Sequence, residues 1–130
     1  MSVPFNVVQK PEPGVPGGGE RKWYASITNS GEVDLDDLVR LVEKISTMSG
    51  GDIHGVVYSL VDVIVDELSD GKIVRLGKLG DFRVSGSSEG HENEEDVTAA
   101  SIIRRRLLYR PKDMIKQMLR NLTFVKNSQG

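Results

Sequence analysis

The sequence predicts an α+β fold in one domain's worth of chain. Three observations carry this reading. Apolar residues recur at helical spacing from Leu35 to Leu68, the period switches to two after Gly71, and a second period-two stretch from Ile102 to Pro111 leads into a last helical segment. At 130 residues the chain can build a modest core, near the size at which a partner subunit often completes it.

The lead comes first. Residues 10–20, KPEPGVPGGGE, concentrate Pro and Gly and cannot hold a helix or a central strand. Phe5 to Gln9 and Lys22 to Thr28 have strand composition, so residues 1–33 read as an extension built on a hairpin with a long mobile loop. The triple glycine Gly17 to Gly19 lacks the following Lys-Ser or Lys-Thr and the helix that a phosphate loop requires.

Asp34 can cap the first helix, with Asp37 as the reciprocal member of a capping box. Leu35, Leu38, Val39, Val42 and Ile45 form its apolar stripe. Ser49 and Asp52 repeat the device, and Ile53, Val56, Val57, Leu60, Val61, Ile64, Val65 and Leu68 continue for about four turns until Gly71 stops the run. A stripe that long and that β-branched needs more cover than the first helix supplies. A second copy is the economical source.

After Gly71, Val74, Leu76, Phe82 and Val84 point to one side and Arg75 and Arg83 to the other. Gly77 and Gly80 read as a bulge or sharp bend, and could also expose backbone N–H groups to a phosphate. Gly86 to Ala100 is polar and acidic, a loop or protruding arm. The returning strand puts Arg104, Arg106, Leu108 and Arg110 on one face and Arg105, Leu107 and Tyr109 on the other. Pro111 is expected at the first position of the last helix, with Met114, Ile115, Met118, Leu119 and Leu122 as its buried side and a short strand from Thr123 to Lys126.

Charge is strongly uneven along a chain whose formal net charge is only −2. Asp34 to Asp70 holds nine acids against two bases, and Gly86 to Asp96 five acids and no base. Val97 to Lys126 holds eight bases against Asp113 alone. A basic face on an acidic protein steers an anion, although the same charges could simply neutralise the acidic helices.

The helix-terminating Asp70-Gly71, the run IVRLGKLGDFRV (Ile73 to Val84) and the segment YRPKDMIKQML (Tyr109 to Leu119) resemble the HU and IHF family of bacterial histone-like DNA-binding proteins. With the N-terminal extension and the SSEG after the strand motif, the wording resembles the longer HU-like subfamily of Bacteroides-type bacteria. The resemblance implies an IHF-like fold over residues 34–126: a two-helix base, a β-sheet saddle with an arm at 86–101, a C-terminal helix and an intertwined dimer. It also implies a non-catalytic, architectural, weakly sequence-specific protein that contacts the phosphates and minor groove of double-stranded DNA. Tyr109 matches the family's closing aromatic. Two departures stand out. Lys78 and Leu79 replace the family's turn glycine and aromatic, and the arm has no base and no proline to wedge between base pairs, so sharp bending is not expected.

The expected DNA-binding residues are Arg75, Lys78, Arg83, Arg104, Arg106, Arg110 and Lys112, because guanidinium forks suit phosphates and the narrow groove. Val57, Leu60, Val61, Ile64, Phe82 and Tyr109 are the expected core of a homodimer. Arg105 falls on the inner face by alternation, so it is expected near an edge or beside a helix acid. The extension is expected to cover one sheet edge. The alternative reading is a dimerisation or protein-interaction module of the same fold that has lost DNA binding.

Catalytic patterns are missing. No GxSxG, GxxxxGK[ST] or HExxH occurs, and there is no cysteine. His54 and His91 have no second ligand at helical or hairpin spacing, so neither a metal nor a cofactor is expected, nor a small-molecule substrate. Glu92, Glu94, Glu95 and Asp96 read as a solvated charge run, with weak divalent-cation binding as the alternative, and Asn121-Leu-Thr123 matches a glycosylation pattern without meaning in a bacterial cytosol. No apolar run approaches the roughly 18 residues of a membrane span. Cytoplasmic, nucleoid placement is the expectation.

Overall fold

The computed structural model describes residues 1–128. It has three helices and two three-stranded sheets. Strands β1 (Val3–Pro11) and β2 (Arg21–Ile27) pair antiparallel, with Phe5 opposite Ile27 and Pro11 opposite Arg21. The ladder therefore runs further into the Pro/Gly segment than composition suggests. Glu12 explains this, since its N–H donates to the Gly18 carbonyl at 2.7 Å and its carboxylate accepts from Lys22 Nζ at 2.6 Å, pinching the loop base shut.

Strand β6 (Phe124–Lys126) lies parallel to β1, giving the order β2-β1-β6. The Val3 N–H donates to the Thr123 carbonyl and the Asn127 N–H to the Phe5 carbonyl, each at 2.8 Å. Among the described residues the extension pairs with no strand of the other sheet. It pairs instead with the C-terminal strand.

Helix α1 (Leu35–Ile45) opens with the Asp34–Asp37 capping box complete in both directions. The Asp37 backbone N–H holds the Asp34 carboxyl below its ordinary pKa. In α2 (Gly50–Ser69) Ser49 accepts from the Asp52 N–H at 3.3 Å. Gly71, at φ +80°, ends the helix in a conformation that costs glycine nothing.

The second sheet has the order β3-β4-β5, all antiparallel: β3 (Val74–Leu76), β4 (Gly80–Ser88) and β5 (Ile102–Pro111). Gly77-Lys78-Leu79 makes the β3–β4 turn, closed by the Leu79 N–H on the Leu76 carbonyl at 3.0 Å. Gly86 to Ser88, expected in the arm, belongs to β4, because Ser87 still finds Arg104 and Ser88 finds Ile102 across a register shift. The connection then closes through the Glu89 N–H on the Ser101 carbonyl at 2.8 Å. Ser101 is buried, and its hydroxyl accepts from the Thr98 N–H and lies 3.0 Å from His91 Nε2.

Helix α3 (Asp113–Arg120) starts two residues later than the proline suggested. Pro111 is instead the last residue of β5, opposite Gly80, where a strand end needs no N–H donor, and extended Lys112 forms the cap.

Val39 and Ile53 are the buried apolar side chains among the described residues. The expected buried side of α3 is largely open: Ile115 and Leu122 are half-buried, but Met114, Met118 and Leu119 are exposed. One chain has no layer left to place over them. Helix α2 buries Ile53 and half-buries Val57, Ile64 and Leu68, while leaving two apolar flanks exposed, Val56-Leu60-Val63 and Tyr58-Val61-Val65.

Candidate nucleic-acid interface

Register in the second sheet decides which side chains share a face. Asp81 lies between Arg75 and Arg110, Arg83 opposite Leu108, Ser85 opposite Arg106, and Ser87 opposite Arg104. Arg75, Arg83, Arg104, Arg106 and Arg110 therefore project from one side. On the other side Val74 faces Phe82, Phe82 faces Tyr109 and Val84 faces Leu107. The Phe82 and Tyr109 rings tilt together with centroids 5.0 Å apart, and the Tyr109 hydroxyl donates to the Leu79 carbonyl at 2.6 Å, tying β5 to the β3–β4 turn.

The basic face contains one acid of the Gly71 to Ser85 segment. Asp81 accepts from Arg75 Nη1 at 2.9 Å, and Lys112 Nζ lies 3.2 Å from the same oxygen. Its side chain is only 12% exposed, and its second oxygen finds no hydrogen-bond partner among the described residues. Two of the seven expected contacts are thus partly neutralised. The signal was present in the sequence, since the alternation that turns Arg83 outward turns Asp81 outward too.

Arg83, Arg104, Arg106 and Arg110 are exposed and form no ion pair among the described residues. A shallow cleft of about 330 Å³ opens between Ile73, Arg75, Asp81, Arg83, Leu108 and Arg110. Lys78 lies apart from this face, on the turn. Arg105 is opposite Gly86 near the arm end of the ladder and has no acid partner among the described residues. Five exposed carboxylates, Glu89, Glu92, Glu94, Glu95 and Asp96, occupy the arm beyond Ser88. The face is basic along the ladder, and the chain turns acidic in the arm beyond it.

The histidines have local partners. His54 Nε2 lies 3.0 Å from Asp36 Oδ1, joining α2 to α1, and its ring stands 5.8 Å from Tyr58. Among the described residues no cluster of three ligating side chains could hold a metal ion, and no helix is long and apolar enough to cross a membrane.

Comparison with known proteins adds two findings. The family model HU-HIG, described as an HU domain fused to wHTH, Ig, or glycine-rich motif, matches residues 1–126, extension included. A crystal structure from Bacteroides vulgatus, provisionally described as a bacterial DNA binding protein, has a TM-score of 0.65 at 9% identity, covering 97% of this chain and 49% of that one. The likeness is one of fold, and the chain spans about half the length of that protein. No curated protein matches.

Proposed function

The chain belongs to the HU-HIG family, and from that membership we propose that it is a non-catalytic, architectural DNA-binding protein of the bacterial nucleoid. The observation that carries the reading is the row of unpaired arginines, Arg83, Arg104, Arg106 and Arg110, on one side of β4 and β5. Guanidinium groups spaced along a ladder meet phosphates and the minor groove without reading base edges, so binding is weakly specific and salt-sensitive. Arg75 and Lys112 contribute less until Asp81 releases them. Lys78 reaches a duplex only at the turn.

A second copy completes the site. The apolar flanks of α2, with Val57, Leu60, Val61 and Ile64 at the centre and the Phe82–Tyr109 pair behind, form the core of a homodimer that doubles the arginine row. Residues 1–33 form the extension and 34–126 the DNA-binding unit, joined through β1 and β6. The acidic arm favours the second reading, a protein-interaction module that has lost duplex binding, because five carboxylates repel phosphate.

A salt titration of binding to random-sequence duplex separates the two. The expected log–log slope is about −0.9 per phosphate neutralised. Undetectable binding at low salt overturns the DNA reading.

A further inference from the structure

The first sheet has an apolar face that is largely open among the described residues. Register places Phe5, Val7, Trp23, Ala25, Ile27 and Phe124 on one side of β2-β1-β6. The opposite side is solvated: Lys10 Nζ stands 4.9 Å from the Tyr24 ring centre, and Asn127 donates to Asn6 and Thr28. On the apolar side Trp23 is 67% exposed, Ile27 64% and Phe124 52%. The sheet packs almost entirely on its own three strands. A small sheet needs a covered face to hold its structure, and an exposed patch of this kind marks an interaction surface.

Charge narrows what can cover it. The charged residues on the apolar side, Arg21 and Lys126, are both cations. The α1–α2 layer has the complementary character, with nine acids against two bases from Asp34 to Asp70 and with Leu38, Leu41 and Ile45 exposed on α1, outside the α2 flanks that form the dimer core. Among the described residues no helix packs substantially on this sheet. A second copy brings the same helices on a separate body.

We propose that the apolar face of β1, β2 and β6 docks on the α1–α2 layer of a second copy of this chain, so that the extension clasps the partner subunit. The inference rests on the dimer reading above and adds a contact to it. Two-fold symmetry forms the clasp twice, with Arg21 and Lys126 meeting the partner's acidic rim.

Trp23 is the only tryptophan in the chain, so its fluorescence reports on this face alone. The test follows Trp23 emission and iodide quenching of the full chain across a dilution series, with mass measured in parallel. The expected result is blue-shifted, shielded emission in the dimer that becomes exposed in step with dissociation. A dimer with exposed Trp23 overturns the clasp and leaves the dimer reading standing. A monomer at every concentration overturns both. Shielding that persists in the monomer overturns the clasp by assigning the cover to the chain itself. Ile27→Ser should weaken dimerisation by about tenfold or more, the loss expected for removing a buried aliphatic side chain. Val8→Ser, on the solvated side, should leave it unchanged, and equal effects of the two variants also overturn the clasp.

Discussion

The two sheets have three strands each and put their alternate positions to opposite uses. In β3-β4-β5 one side is apolar and the other carries five arginines; in β2-β1-β6 one side is apolar and the other a neutralised polar network. The difference lies in pairing. Lys22 pairs with Glu12 and Lys10 stands over the Tyr24 ring, whereas Arg83, Arg104, Arg106 and Arg110 have no counter-charge among the described residues. A continuous row of unneutralised cations on a ladder favours an anionic partner, whereas the first sheet has only Arg21 and Lys126, at strand ends on its apolar side.

The sheets also differ in how tightly their glycines are held, and this gives the largest expected effect. Gly80 has φ +140°, and a Cβ there would collide with the Arg110 carbonyl oxygen and come within 2.7 Å of Tyr109 Cε1. Gly17 has φ +78° with nothing within 4 Å. Gly80→Ala should therefore cost about 3 kcal/mol or more, through clash added to strain, and Gly17→Ala about 1 kcal/mol from strain alone. Urea midpoints at one fixed protein concentration measure both. Equal losses would mean that the second sheet yields as readily as the first loop.

Next in size is the arginine row. Replacing Arg104 and Arg106 with Ser removes two charge-assisted contacts per protomer, about 3 kcal/mol, so that each protomer of the dimer loses roughly a hundredfold in duplex affinity. The salt slope should fall by about 1.8 units per protomer. Lys10→Ser and Lys22→Ser, on the solvated side of the first sheet, should leave both quantities unchanged. If the two sheets lose affinity alike, the contrast between them is broken.

Much of this contrast was legible in the sequence, because period-two alternation fixes a face without knowledge of the partner strand. It assigned Arg75, Arg83, Arg104, Arg106 and Arg110 to one side, as the register does. Helix starts were equally local, since Asp34 and Ser49 act on N–H groups three residues away. What failed was non-local. The reach of β1 into Lys10 and Pro11 depends on Glu12 meeting Gly18 and Lys22, and the fate of the extension depends on β6, more than 110 residues downstream. Pro111 satisfies a strand end as well as a helix start, and only its pairing with Gly80 separates the two. The open faces of α2 and α3 show the same limit, because composition marks them as apolar without saying which body covers them.

Asp81 gives the smallest and most discriminating test, since it makes a paired site inside the unpaired sheet. Its carboxylate accepts from Arg75 and lies beside Lys112, at the point where the arginine row meets α3. Asp81→Asn keeps the side-chain size and removes the charge. Arg75 and Lys112 then face the duplex with their full charge, and affinity at low salt should rise about three- to fivefold, the scale of one partly exposed ion pair. The salt slope should steepen with it, because more phosphates are neutralised. Glu12→Gln makes the matching change in the first sheet by releasing Lys22, and should leave DNA affinity unaltered because that sheet takes no part in binding. A fall in affinity for Asp81→Asn would give Asp81 the opposite role, holding Arg75 and Lys112 in the geometry that phosphate requires, and the neutralised end of the face would then be a positioning device.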